Sequence, residues 1–406
     1  MRRQVPSRVI SVGDQLVSSA TNILVVVAFA RESDPELFGI FSLAYAAMIF
    51  LVGAARSMVG EVLLVRTDAS DLASQNLTRA VLGTGVILGL TGLLVMLPGA
   101  LLQPKSGVWL ALALALPFLV LQELSRFLFI ARGQPARALT LDLVWALFSV
   151  VTFGLSLVLT ISAPGVLRGW IAGAVVSVGV LVGMTRVTPD LRGALAWLVE
   201  ARRLSARFFL ESTTLGATNL LVWYILVIPL GNSGIAALRG VQLLFSPLNT
   251  VFNSFRVAMI PELVRSIGTR RYRRRVWELG VGLSVVALVW GGAVLLMPDS
   301  VGIPLLGETW ELGKGLRLQS FVQYLALAAY VGLLGVFRAH ISLRASSSMR
   351  AVFAVSTLTL PGLLASPFGT EGAAWGFAVA GTLAALWGGV AVLRRADQRE
   401  VSALRE

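Results

Sequence analysis

Residues 14–22, DQLVSSATN, and residues 211–219, ESTTLGATN, decide the fold: an acid opens each stretch and Ala-Thr-Asn closes it, with Asn22 and Asn219 offset by 197 positions. Each stretch opens a long apolar run, and the two runs stay in step beyond it. Arg56, Glu61 and Arg66 fall opposite Arg256, Glu262 and Arg265, with a few residues of insertion. The chain therefore reads as a duplication. At about 20 apolar residues per crossing, the spacing predicts spans at 9–30, 38–62, 80–102, 108–131, 138–161 and 165–186. A second set follows at 208–229, 235–260, 277–297, 315–339, 350–366 and 371–393. Six spans per copy is an even number, so both copies run the same way and their symmetry axis is expected along the membrane normal.

The expected fold class is all-α: a polytopic membrane protein of about 12 transmembrane helices in two six-helix lobes related by an internal parallel repeat. The lobes are expected at 1–190 and 207–395, with a cytoplasmic linker at 191–206 and a cytoplasmic tail at 396–406. Composition agrees. Hydrophobic residues make up 56% of the chain and charged ones 14%, against about 25% charged in a soluble domain; the mean hydropathy is +0.81. Arg2, Arg3 and Arg8 followed by an apolar run and Ala28-Phe29-Ala30 imitate a signal peptide. The recurrence of the same segment in mid-chain argues that it is retained.

With no Cys and one His, His340, the chain lacks the means for disulfides, thiol nucleophiles, zinc clusters or His-centred triads. No catalytic residue, metal or cofactor is expected. The net charge of +13 comes mainly from Arg in short loops, the arrangement that fixes orientation in a membrane, and nucleic acid is not an expected partner. With the N-terminus inside, about 24 of the 34 Lys and Arg fall on the cytoplasmic side, so both termini are expected there. The most basic loops, Arg186 to Arg207 and Arg265 to Arg275, read as topology anchors touching anionic lipid.

Four arginines lie inside expected spans: Arg56, Arg126, Arg256 and Arg338, two in each half. An intramembrane Arg costs at least about 2.5 kcal/mol on insertion scales, and such residues face water, an anion or a partner. A guanidinium fork suits phosphate oxygens, so the four are candidate diphosphate ligands; a long Arg stem can equally snorkel to the interface. Gln242, Ser246, Asn249, Asn253 and Arg256 follow spacings of four, three, four and three and form one helix stripe. The stripe either lines a cavity, making Gln242, Asn249 and Asn253 candidate substrate contacts, or hydrogen-bonds neighbouring helices. Gly39, Ala46, Gly53 and Gly60 recur every seventh residue as a small-residue packing seam.

A carboxyl shielded from water can exchange protons, which makes Asp14 and Glu211 candidates for ion coupling; at a hydrated interface they would do nothing of the kind. Glu123 precedes Arg126 by one turn, a spacing for an intrahelical pair. Trp109, Trp170, Trp310 and Trp375 read as interfacial anchors.

Asp14-Gln15 with Ala20-Thr21-Asn22, the segment Phe38-Gly39-Ile40-Phe41-Ser42-Leu43-Ala44-Tyr45, and Arg56 with Gly60-Glu61 and Leu64-Val65-Arg66 resemble polysaccharide-biosynthesis flippases. Those belong to the multidrug, oligosaccharidyl-lipid and polysaccharide exporter superfamily. Pro261-Glu262 and Leu306-Gly307-Glu308-Thr309-Trp310 are similar to its recurring segments in the second half. The resemblance implies a two-lobe, V-shaped, MATE-like transporter that flips a polyprenyl-diphosphate-linked oligosaccharide to the outer leaflet of the bacterial plasma membrane. It implies proton or sodium coupling, the lipid-linked glycan and membrane lipids as partners, and a polysaccharide polymerase or glycosyltransferases as candidate partners. A multidrug antiporter of the same superfamily is the competing expectation.

Overall fold

The computed structural model describes the backbone of residues 4–65, 72, 74–103, 107–159, 161–266, 269, 271–339 and 343–403. It describes side chains within those ranges except at 4–16, 215, 253, 255–262, 264, 273, 338–339, 343–344 and 393–403. The protein is all-α, 94% helix, and the described residues contain no strand. In chain order the long helices are α1 (Gln4–Glu32), α2 (Pro35–Ala55), a π-helical turn (Arg56–Gly60) leading into the short α3 (Glu61–Val65), α4 (Gln75–Leu102), α5 (Val108–Ala131), α6 (Pro135–Val158) and α7 (Ala163–Thr185). Then come α8 (Leu191–Ser266), α9 (Arg271–Leu295), the short α10 (Asp299–Leu306) and α11 (Glu308–Gly313), α12 (Arg317–Ala339) and α13 (Leu343–Ala403).

Among the described residues nine helical segments are long and apolar enough to cross a membrane. Two of them hold an internal break. Gly231 (φ 66°) interrupts α8 and Gly369 (φ 60°) interrupts α13, at left-handed backbone angles that only glycine adopts without strain. Each break turns one long helix into two crossings, and with the 29-residue α1 the number of spans reaches the expected twelve. Local signals set the helix starts. The Asp34 carboxylate accepts the Leu37 amide at 2.8 Å with Pro35 as the first residue of α2, and Ser74 caps α4 through the Leu77 amide at 3.0 Å.

The chain forms two compact units, Met1–Leu220 with Leu305–Gly307, and Leu221–Pro304 with Glu308–Glu406. In the first, Phe29 stacks on Phe41 with centroids 4.1 Å apart, and the Trp145 indole donates to the Trp170 carbonyl at 3.0 Å. Helices α4 and α5 approach through glycines: a Cβ on Gly89 would stand 2.5 Å from the Pro117 backbone, and one on Gly85 2.9 Å from Leu121. On the seam expected from α2 onward, Gly39 is buried, Gly53 faces open space and Gly60, in the π-helical turn, sits tight against Phe127. The second unit centres on Tyr330, Leu334, Phe337, Met349 and Ala384.

Two expectations change. Residues 191–206 form the first turns of α8 instead of a loop, because Ala194, Trp197 and Ala201 recur at helical spacing and bury one face despite the surrounding charge. Trp109, Trp170 and Trp310 are packed inside the protein; only Trp375 of the expected anchors is exposed, joined by Trp277, Trp290 and Trp387. The Trp310 indole lies over Gly302 and donates to Asp299 at 2.7 Å, which folds α10 and α11 against each other.

Candidate functional site

In the first unit α5 brings Gln122, Glu123 and Arg126 to one side, where α6 supplies Asp142 and the π-helical turn supplies Arg56. Arg56 Nε donates to Glu123 Oε1 at 2.5 Å, and Arg126 Nη1 donates to Glu123 Oε2 at 2.9 Å. Arg126 Nε lies 3.6 Å from Asp142 Oδ2, while Gln122 Nε2 donates to Asp142 Oδ1 at 2.8 Å. Both guanidiniums pass over the Phe127 ring, 6.0 and 5.8 Å from its centroid, where the negative face of the ring favours a cation. Two cations and two anions thus balance in formal charge. Their exposure does not balance: the Arg56 side chain is 44% exposed, against 7% for Glu123, 6% for Arg126 and 1% for Asp142.

This geometry separates arginines that the sequence grouped together. The Arg56 side chain is partly exposed. Arg126 is enclosed between two carboxylates, with Ser18 Oγ at 3.5 Å. The pairing of Glu123 with Arg126 is as the spacing of three suggested. Asp142 and Gln122 were not anticipated, since their partnership depends on the rotation of α6 against α5. The π-helical turn that carries Arg56 is closed by Glu61 N donating to the Arg56 carbonyl; such turns recur at functional sites.

Between α8 and α12 the second unit places neutral pairs. Gln242 Nε2 lies 3.4 Å from Gln323 Oε1, Asn249 Nδ2 lies 3.3 Å from the Tyr324 hydroxyl, and that hydroxyl lies 3.5 Å from the Gln242 carbonyl. Gln242 and Asn249 thus bond α8 to α12. The stripe also extends back to Arg239, three residues before Gln242, whose guanidinium sits 4.9 Å from the centre of the Trp223 ring. Continuing the same spacing toward the start of the span would have found it. Glu211 is exposed on the first unit's stretch of α8. The side chains of Asp14, Asn253, Arg256 and Arg338, and residue His340, lie outside the described residues. No group of three or more potential metal ligands occurs among the described residues.

No protein-family model matches the chain, and no curated protein sequence does. Solved structures do. The chain is similar to a multidrug resistance MATE family transporter of the MOP superfamily in an inward-facing conformation, with a TM-score of 0.69 and 15% identity over 98% of both chains. It is similar to the lipid II flippase MurJ with a TM-score of 0.67 and 11% identity, over 96% of this chain and 87% of that one. A eukaryotic MATE transporter follows with a TM-score of 0.62 and 16% identity over 96% of both. Together with its apolar helices, these likenesses establish a multi-pass helical membrane protein with a MATE-like fold.

Proposed function

We propose that the protein moves an amphiphile with an anionic head, a polyprenyl-diphosphate-linked oligosaccharide, from the cytoplasmic to the outer leaflet of a bacterial plasma membrane. Both termini would lie in the cytoplasm, as the distribution of Lys and Arg indicates. The observation that carries this reading is the asymmetry of the first unit's ionic cluster: its exposed member is the cation Arg56, while Glu123 and Asp142 are hidden. A cargo approaching that cluster meets positive charge, and phosphate oxygens are natural partners of a guanidinium. The fold is shared with a lipid II flippase, which supports a lipid-linked cargo.

The multidrug-antiport reading draws on the MATE neighbours. A cationic drug requires carboxylates open to it, and the acids of this cluster are closed.

The test is the leaflet position of polyprenyl-diphosphate glycans, read with an external glycosidase in cells depleted of the protein. Accumulation of protected glycan is expected, and Arg56→Gln should fail to restore exposure while remaining folded. Losing one charge-assisted bond of about 1.5–3 kcal/mol corresponds to roughly a 10- to 100-fold loss of affinity for the head group. Unchanged glycan exposure on depletion removes the substrate assignment, and dye efflux from the same cells would then favour antiport.

A further inference from the structure

A column of polar side chains links three helices of the second unit. Glu371 Oε1 of α13 accepts Gln319 Nε2 of α12 at 3.2 Å. One turn further along α12, Gln323 Oε1 accepts Gln242 Nε2 of α8 at 3.4 Å. The adjacent Tyr324 hydroxyl donates to the Gln242 carbonyl at 3.5 Å and accepts Asn249 Nδ2 at 3.3 Å. On α8, Arg239, Gln242, Ser246 and Asn249 follow intervals of three, four and three and share one stripe.

The column has features that a closed packing contact lacks. Its bonds measure 3.2–3.5 Å, whereas a firm amide bond closes at about 2.9–3.0 Å. Between Gly234 and Phe252 only Asn249 and Val251 are exposed, so one of the two places where this stretch opens outward is an amide, a group that hydrocarbon does not solvate. Gln319 is buried, and its Oε1 has no hydrogen-bond partner among the described residues; an acceptor left so is costly.

The chemistry of the column selects a ligand. Amide and phenol groups both donate and accept, as sugar hydroxyls do. Gln242, Ser246, Asn249, Gln323 and Tyr324 carry no ionised group, and the charged residues nearby are engaged: Arg239 with the Trp223 ring at 4.9 Å from its centre, Glu371 with Gln319. A sugar that replaces long mutual bonds forfeits little by breaking them.

We propose that this column binds the carbohydrate of the cargo, with Gln242, Asn249, Gln323 and Tyr324 exchanging their bonds to one another for bonds to sugar hydroxyls. The proposal rests on the reading that the cargo carries a glycan, and it gives the second unit a recognition distinct from that of the diphosphate by Arg56.

Two probes separate these recognitions. One is the free glycan released by mild acid from polyprenyl-diphosphate lipids of cells that make the protein, labelled with a fluorophore; the other is undecaprenyl diphosphate, which has no sugar. Each is titrated onto the full-length protein in nanodiscs. Gln242→Leu combined with Gln323→Leu should weaken the glycan roughly tenfold, the equivalent of two neutral hydrogen bonds, and leave undecaprenyl diphosphate unchanged. Arg56→Gln should do the reverse. Tyr324→Phe keeps the ring that stacks on Phe245, should weaken the glycan about threefold, and serves if the double variant folds poorly. Glycan affinity unaltered in these variants, or no glycan binding by the unaltered protein, overturns the proposal whatever undecaprenyl diphosphate does. Binding of the glycan without undecaprenyl diphosphate removes the Arg56 reading instead, and loss of that glycan binding in the variants still supports the column. Variants that weaken tetraphenylphosphonium and spare the glycan would assign the column to a cationic drug, and the proposal falls.

Discussion

In the first unit the cluster around Glu123 is charged, enclosed and closely spaced; between α8 and α12 of the second the described contacts join amides and a phenol at 3.3–3.5 Å. The two halves share a helix pattern and an opening motif, so the difference lies in what was placed between the helices. Charge pairs in an apolar interior are costly to break singly, because the survivor remains buried without its counter-charge. Neutral amide pairs are individually worth about 0.5–1.5 kcal/mol. The Glu123 cluster is therefore electrostatically committed, whereas the α8–α12 contacts are bonds that can exchange.

The largest expected effect comes from Glu123→Ala, which leaves Arg56 and Arg126 facing each other over Phe127. A loss of about 3–5 kcal/mol is expected, read as an early unfolding transition in detergent by tryptophan fluorescence. Arg56→Gln should cost far less stability, since its side chain is already 44% exposed and Arg126 still holds Glu123. If Glu123→Ala unfolds no earlier than Arg56→Gln, the two arginines do not depend on Glu123 for their neutralisation.

An intermediate effect is expected in the second unit. Tyr324→Phe removes the bonds to Asn249 and to the Gln242 carbonyl and should cost about 0.5–1.5 kcal/mol, with Gln323→Leu similar. A double variant of the two should be close to additive, because each hydroxyl or amide contact is long and weak. A cost matching that of Glu123→Ala would erase the contrast between the units.

The smallest effect belongs to Asp299, at an exposed end of the second unit. The Trp310 indole and Lys314, as hydrogen-bond donors, hold its carboxyl below its usual range. A depressed native pKa contributes stability that is present above the unfolded value and lost as pH falls through the native one. Asp299→Asn should accordingly lower Tm slightly at neutral pH, with the difference vanishing in acid below the ordinary carboxylate range. A gap that persists there would mean that the side chain acts through shape and not through charge.

The spans were legible because a bilayer demands long apolar runs, and both helix breaks fall in the gaps left between expected spans, at Gly231 and Gly369. The start of α8 was not legible as helix while its arginines dominated the reading; the spacing of Ala194, Trp197 and Ala201 carried the signal. Arg56 and Arg126 looked alike in sequence, each a cation within a span. What separates them is Asp142, one helix away, and the pairing of α5 with α6 depends on rotations that no local pattern encodes. Trp310 looked like an interfacial anchor for the same reason: its place under cover depends on Gly302, eight positions earlier.

The turn at Arg56–Gly60 also has a consequence for phase. A π-helical turn is an α-helix with one residue too many, and each α-helical residue advances about 100°. Deleting a single residue there would restore the regular winding and rotate the helix on one side by about 100° relative to the other, swinging Arg56 out of line with Glu123 without removing either side chain. The same deletion would displace the Met58 carbonyl that receives Ser205 from α8. The aim of the exposed cation is thus written in the number of residues in α2 and its continuation, a property that scanning substitutions one at a time leaves untouched.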